Sequence, residues 1–162
     1  MRFQGNVWRH VPAGAHPLHA GYILQARGRW NRAGLYGCLY TSLEPVGAVA
    51  EYLKYLQQAG ISPGNRPHKR KLVSLQVNLS PVMDLTDPEG SPVPPSASFL
   101  VGDSASDLEA CRNLADSLRS LGYAGIIAPS SPAPAFKNLM IYLDHTPSKD
   151  VQIMEGADRI AL

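Results

Sequence analysis

Residues 35–60, LYGCLYTSLEPVGAVAEYLKYLQQAG, contain the clearest strand-to-helix unit of this sequence. Residues 35–41 alternate between side-chain types as a β-strand does. Glu44 and Pro45 then open a helix, because proline fits the first helical turn, and Gly60 can close it. A strand followed directly by a helix is therefore predicted here.

The predicted helix has two distinct faces. An apolar stripe at i, i+3, i+4, i+7 spacing is expected to face the core, and it consists of Val46, Val49, Ala50, Leu53 and Leu56. Glu51 lies nearly opposite, with Ala48, Tyr52 and Tyr55 around it in place of lysines and glutamates. This composition indicates a second contacting surface that holds a lone carboxylate.

Further elements extend outward from this unit. Helix start and stop signals predict a second helix from the S-x-x-E capping box at Ser106 and Glu109 to Gly122. Loops are predicted at residues 13–26 and, because of four prolines, at residues 87–98. Strands are predicted at residues 6–11, 72–79, 82–85, 125–128, 139–143 and 151–154. This order favours a mixed α+β fold in a single domain over residues 1–162.

Composition limits the function classes. The chain has 162 residues, of which 44% are hydrophobic and 17% charged, which excludes a disordered tail. A net charge of +2 does not indicate nucleic-acid binding, and the basic cluster at residues 68–71 is expected to be a solvated loop. Cys38 and Cys111 lack CxxC spacing, which favours a reducing compartment. With no signal peptide and no apolar run approaching ~20 residues, a cytoplasmic protein without a membrane segment is expected.

Common cofactor motifs are missing from the sequence. No GxGxxG, GxxxxGK[ST] or GxSxG motif is present, so the usual phosphate loops and the nucleophile elbow are excluded. The five histidines lack HExxH spacing, and we expect no metal site and no bound cofactor. The cluster at residues 27–34 places Arg27, Arg29 and Arg32 beside Trp30. It could hold a pyrophosphate and stack on a flat ring, or form a surface loop with Trp30 in the core.

Several separated motifs together resemble the RES domain, a family of bacterial toxins paired with Xre-like antitoxins and named for an arginine, a glutamate and a serine. The matching motifs occur in the family's order over about four-fifths of the chain: Trp8-Arg9, Gly28-Arg29-Trp30-Asn31, Leu39-Tyr40-Thr41-Ser42, Ala50-Glu51, Ala128-Pro129-Ser130 and Asn138-Leu139. The resemblance implies a fold similar to the ADP-ribosyltransferases, with two small sheets flanked by helices. It also implies NAD as substrate, inorganic phosphate as co-substrate and an antitoxin as partner.

The resemblance also implies site residues. By motif position the catalytic set is Arg9, Tyr40, Glu51 and Ser130, and the NAD-contacting set is Arg29, Trp30, Asn31, Ser131 and Asn138. Glu51 would stabilise the positive charge that develops on the ribose carbon. Tyr40 would stack on nicotinamide, Arg9 would pair with phosphate, and Ser130 would orient a ribose or phosphate oxygen. Arg29 rivals Arg9 as the phosphate ligand, and Ser131 rivals Ser130 as the family serine.

Three functions follow as alternatives. The first is NAD cleavage at the nicotinamide-ribose bond, by phosphorolysis with water as a slower acceptor, in the toxin of a toxin–antitoxin pair. The second is transfer of ADP-ribose to a specific protein. The third is a non-catalytic domain that binds an antitoxin or a nucleotide. The sequence does not decide between a monomer, a homodimer and a complex with an antitoxin.

Overall fold

The computed structural model describes residues 1–65, 69–154 and 160–161, and eight β-strands run through these ranges. The strands are β1 (Phe3–Pro12), β2 (Cys38–Ser42), β3 (Arg70–Leu79), β4 (Val82–Asp84), β5 (Gly125–Pro129), β6 (Lys137–Tyr142), β7 (Val151–Ile153) and β8 (Ile160–Ala161). They hydrogen-bond in the order β4-β5-β6-β2-β1-β3-β7, and β8 pairs with β3. Only β4 and β5 run parallel.

The sheet consists of two halves joined at one place. β1 and β3 pair along ten residues, and β2 and β6 along five. β1 and β2, in contrast, share a single pair, Trp8 with Ser42. The two small sheets expected from the resemblance are therefore present as half-sheets that separate on either side of this junction.

Within the described ranges, three α-helices pack on the sheet: α1 (Ala20–Gln25), α2 (Pro45–Gln58) and α3 (Ala105–Ser120). α2 begins at Glu44-Pro45 as predicted, and Gly60 follows it with a φ of 68°. α1 lies within residues 13–26, where only a loop was predicted, because its one apolar turn is too short to give a periodic signal. The mixed α+β fold predicted from the sequence is confirmed.

The core-facing stripe predicted for α2 is correct for Leu56, which is 2% exposed, but wrong for other members. Val46 and Leu53 are 59% and 49% exposed, whereas Ala48 and Tyr52 are 2% and 3% exposed. The helix thus turns the surface around Glu51 toward the sheet. Tyrosine and alanine bury on this side because the ring of Tyr52 packs on the ring of His10 from β1.

The capping box of α3 lies two residues upstream of the predicted one. Ser104 accepts a hydrogen bond from the Asp107 backbone N–H, and the Asp107 carboxylate accepts from the Ser104 backbone N–H. An S-x-x-D pair therefore replaces the predicted Ser106 and Glu109, whose S-x-x-E spacing occurs inside the helix. Cys111, Ala115 and Leu118 are buried, so α3 turns one apolar stripe toward the core.

Two hydrophobic clusters fix the half-sheets. One contains Val7, Leu75 and Val77 from β1 and β3 together with Leu39, Ile127 and Leu139 from the other half. The other joins the β5–β6–β2 half to α3 through Cys111, Ala115, Ile126, Met140 and Tyr142. The halves are therefore held by side-chain packing, while the backbone ladder between them is a single pair. None of the described helices has the length and hydropathy needed to cross a bilayer.

Candidate functional site

A cavity of about 520 Å³ opens where the two half-sheets separate. Its volume lies within the range of small-molecule clefts, ~300–1,000 Å³. Its wall carries six basic and two acidic side chains: Arg9, Arg27, Arg29, Lys54, Arg70 and Arg112, with Glu51 and Asp103. The site is therefore suited to a ligand with several negative charges.

Glu51 is held in a fixed orientation at the wall of this cavity. Its Oε1 accepts a hydrogen bond of 2.8 Å from Ser130 Oγ and one of 2.6 Å from Asn138 Nδ2. Asn138 is in turn fixed by Ser42, whose hydroxyl donates to Asn138 Oδ1 at 2.8 Å. Oε2 has no hydrogen-bond partner among the described residues, so this oxygen is available to a ligand.

The two adjacent serines have different surroundings. Ser130 is fully buried and does not line the cavity, and its hydroxyl donates to Glu51. Ser131 lines the cavity, donates to the Val101 carbonyl and lies within hydrogen-bond distance of Arg29 and Lys54. Ser130 is therefore the serine that touches the carboxylate.

Two hydrogen bonds of the Tyr40 side chain connect the loop around Trp30 to β2. Its hydroxyl accepts from the Trp30 backbone N–H at 2.8 Å and donates to Asn31 Oδ1 at 2.7 Å. Burial raises the pKa of Tyr40 well above its ordinary value, so the phenol keeps its proton. Gly28 passes so close that an added Cβ would lie 2.1 Å from this hydroxyl. The ring of Tyr40 still lines the cavity.

Trp30 and Asn31 serve mainly internal contacts. Trp30 is 3% exposed and belongs to the cluster under α3, although it also borders the cavity. Asn31 is 1% exposed, does not line the cavity, and donates to the Ala26 carbonyl at 2.7 Å. Both ends of the Asn31 amide are bonded to protein groups, since its Oδ1 also accepts from the Tyr40 hydroxyl, so direct contact of Asn31 with NAD stays a prediction.

Arg29 is engaged by protein groups on one wall. Its Nη1 donates to the carbonyls of Phe99 and Gly102, and its Nη2 bonds Asp103 at 2.8 Å. Lys54 bonds the same Asp103 oxygen at 2.8 Å. Arg29 and Lys54 thus share one carboxylate.

Arg9 contrasts with Arg29. Its Nε is buried and has no hydrogen-bond partner among the described residues. Burial and the nearby Arg70 lower the pKa of Arg9 to about 10, which leaves the guanidinium protonated at neutral pH. Arg9 is therefore a cation of the cavity whose hydrogen-bonding capacity is incompletely used.

Arg70 was missed as a site residue, because residues 68–71 were predicted to be a solvated loop. The structure places Arg70 at the start of β3 with its side chain at the cavity, whereas His68 lies outside the described residues. Lys54 was missed too, although its i+3 spacing from Glu51 puts both on one helix face. Asp103 gave no sequence signal, since it lies in a loop far from every motif.

Among the described residues, no group of three or more His, Cys, Asp or Glu side chains is arranged to hold a metal ion. The polar groups at the cavity include the Glu51 carboxylate with its two donors, Asp103, and a set of guanidinium and ammonium groups.

The RES domain family model matches residues 6–159, and the chain belongs to this family. Among solved structures, one chain of the M. tuberculosis MbcT-MbcA toxin-antitoxin complex has the same fold, with a TM-score of 0.75. That alignment covers 95% of this chain and 83% of the other at 18% sequence identity. No curated protein matched the sequence.

Proposed function

We propose that this RES-domain protein cleaves the nicotinamide-ribose bond of NAD, with inorganic phosphate as the preferred acceptor, and acts as the toxin of a toxin–antitoxin pair. The observation that carries the proposal is the Glu51 carboxylate, oriented by Ser130 and Asn138 in a basic cavity. Family membership and the fold shared with a chain of a toxin–antitoxin complex support it.

The reaction needs a carboxylate of this kind. When the bond from the ribose carbon to the nicotinamide nitrogen breaks, its electron pair leaves with the nitrogen and the carbon becomes cationic. Glu51 Oε2, which is free for a ligand, would face that charge or bind a ribose hydroxyl. A phosphate oxygen then bonds to the carbon, giving ADP-ribose 1-phosphate and nicotinamide. Water in place of phosphate gives ADP-ribose and a proton.

The other site residues have supporting roles in this proposal. Ser130 and Asn138 act through Glu51 as positioning residues, because both donate to Oε1. Tyr40 holds the Gly28–Asn31 loop and offers its ring to nicotinamide. Guanidinium groups around the cavity bind the diphosphate, since they form charge-assisted hydrogen bonds with phosphate oxygens.

The first test follows the products. Purified protein is incubated with NAD, with and without inorganic phosphate, and the products are identified by mass spectrometry. The proposal expects phosphate-dependent formation of ADP-ribose 1-phosphate. Glu51→Gln should lower the rate roughly hundredfold or more, because it removes the charge that stabilises the transition state.

The matched control is Glu44→Gln. Glu44 precedes the same helix, is exposed and makes no side-chain capping bond, so its replacement should leave turnover unchanged. ADP-ribose on an added protein would favour the transferase. No NAD loss from folded protein would overturn NAD cleavage and favour a binding domain.

The toxin role has its own test. Expression in bacteria of the wild type should arrest growth and lower cellular NAD, and Glu51→Gln should do neither. Co-expression of an Xre-like antitoxin should restore growth. Growth arrest that is equal for both forms would contradict a toxin acting through NAD.

A further inference from the structure

One corner of the cavity contains cations without a carboxylate partner. Arg9 and His10 stand on β1, and Arg70 stands on the neighbouring β3, two residues before the register partner of His10. No ion pair joins Arg9 or Arg70 to a carboxylate among the described residues, whereas Arg29 and Lys54 share Asp103. Within the part of the chain that the structure describes, the positive charge at this corner therefore has no carboxylate partner.

Arg70 is held in place by contacts that leave part of its guanidinium free. Its Nε donates to His10 Nδ1 at 2.9 Å, and its guanidinium carbon lies 5.2 Å from the centre of the Tyr52 ring. The His10 ring itself packs on Tyr52, with centroids 5.0 Å apart. Neither terminal nitrogen of Arg70 has a hydrogen-bond partner among the described residues.

His10 accepts from Arg70 and is therefore neutral at Nδ1, with its proton on Nε2. Burial, Arg70 and Arg9 together lower the pKa of His10 to about 3. The imidazole consequently orients Arg70 without adding a third positive charge. Arg9, with its buried and unpartnered Nε, lines the same cavity, so Arg9 and Arg70 together offer several N–H donors and two charges.

We infer that Arg9 and Arg70, the latter oriented by His10 and Tyr52, form a subsite for a phosphoryl oxyanion separate from the Arg29–Lys54–Asp103 group. A guanidinium with free terminal N–H groups matches the spacing of phosphate oxygens. The anion is either free inorganic phosphate or the diphosphate of a dinucleotide. This inference depends on the proposed function in one respect, the identity of the anion.

The test measures binding without turnover. Titration calorimetry with inorganic phosphate and, separately, with ADP-ribose compares the wild type with Arg70→Gln. We expect affinity for one of these ligands to fall about tenfold or more, because charge-assisted hydrogen bonds are lost. A loss confined to phosphate assigns the subsite to the acceptor, and a loss confined to ADP-ribose assigns it to the diphosphate.

Lys71→Gln is the matched control. Lys71 is the next residue on β3, carries the same charge and does not line this cavity, so its replacement should leave both affinities unchanged. Equal effects of the two variants, or no effect of Arg70→Gln, would overturn the subsite. Failure of the wild type to cleave NAD while these affinities behave as expected would overturn the proposed function alone.

Circular dichroism would detect misfolding of Arg70→Gln. In that case a second variant, Arg70→Lys, tests the subsite. Arg70→Lys keeps the charge but lacks the planar guanidinium, so it cannot bond His10 through one nitrogen and present the fixed pair of terminal N–H groups to an oxyanion. Affinity should again fall about tenfold. Unchanged binding by folded Arg70→Lys would overturn the role of the guanidinium.

Discussion

At the scale of single residues, the orientation of Glu51 depends on two donors to one oxygen. Ser130→Ala removes one of them and leaves the carboxylate able to rotate away from the ribose. On the proposed function, kcat should fall about tenfold with little change in KM for NAD, because a hydrogen bond to a charged group is lost. Steady-state kinetics with mass-spectrometric product detection measures both constants.

Ser117→Ala is the control for this substitution. Ser117 is exposed on α3 and donates only to a carbonyl of its own helix, so kinetics should not change. A kcat for Ser130→Ala equal to that of the wild type would show that Asn138 alone suffices to orient Glu51.

His10 should make the stability of the protein dependent on acid pH. Its pKa is lowered from 6.5 to about 3 in the fold, chiefly by burial and then by Arg70 and Arg9. The unfolded chain therefore binds the proton first as pH falls. The contribution of neutral His10 to the free energy of unfolding is fully present above pH 6.5. It decreases as the pH falls toward 3, by up to about 1.4 kcal/mol per pH unit.

Urea unfolding at pH 7 and pH 4.5 measures this effect. His10→Gln should reduce the loss of unfolding free energy between the two pH values, whereas His16→Gln, at an exposed position, should leave it as in the wild type. Identical losses in His10→Gln and the wild type would contradict a buried neutral His10.

At the scale of elements, the Gly28–Asn31 loop needs a glycine where it crosses Tyr40. A Cβ on residue 28 would lie 2.1 Å from the Tyr40 hydroxyl and 2.3 Å from its ring carbon. Gly28→Ala should therefore lower the free energy of unfolding by about 1–3 kcal/mol, as overpacking does. Gly14→Ala, where no atom lies within 4 Å, is the control in the same urea titration. Equal stability of both variants would exclude the close approach.

Elements with a strong local signal were predictable from the sequence. α2, α3 and the long strand β3 were found because proline, glycine and hydrophobic periodicity act within one segment. α1 was missed because six residues carry too little periodicity. The core-facing side of α2 was misjudged because Tyr52 buries through packing on His10, a contact that no pattern within the helix reveals.

Part of the candidate site was also predictable from the sequence. The resemblance supplied Glu51, Ser130 and Asn138, which the structure brings together, as well as Tyr40 and Arg29. Arg70 and Asp103 could not be predicted as site residues, because their contacts form only where β3 and the loop before α3 approach the other elements.

At the scale of the whole molecule, the stability of the fold includes the cost of a buried Arg9 N–H that has no partner among the described residues. Such a group costs about 1–3 kcal/mol. Arg9→Met replaces it with an apolar chain of similar length, so the free energy of unfolding without ligand should rise by about 1 kcal/mol. NAD turnover should fall at least about tenfold on the proposed function, because a phosphate ligand is lost.

Arg2→Met provides the comparison, since Arg2 is exposed and bonds only Asn78. Arg2→Met should change neither the free energy of unfolding nor NAD turnover. Urea unfolding and product analysis give the two readouts, and a less stable Arg9→Met protein would contradict the view that this arginine is retained for binding.

Because a single backbone pair, Trp8 with Ser42, joins the two half-sheets, the two halves can diverge separately among proteins with this fold. The donors to Glu51 stand on β6 and just after β5, whereas Arg9 and Arg70 stand on β1 and β3. Mutations that reshape one half leave the ladder of the other intact. On the proposed function, selection can therefore alter anion binding on one side of the junction while the donors that orient Glu51 are inherited unchanged on the other.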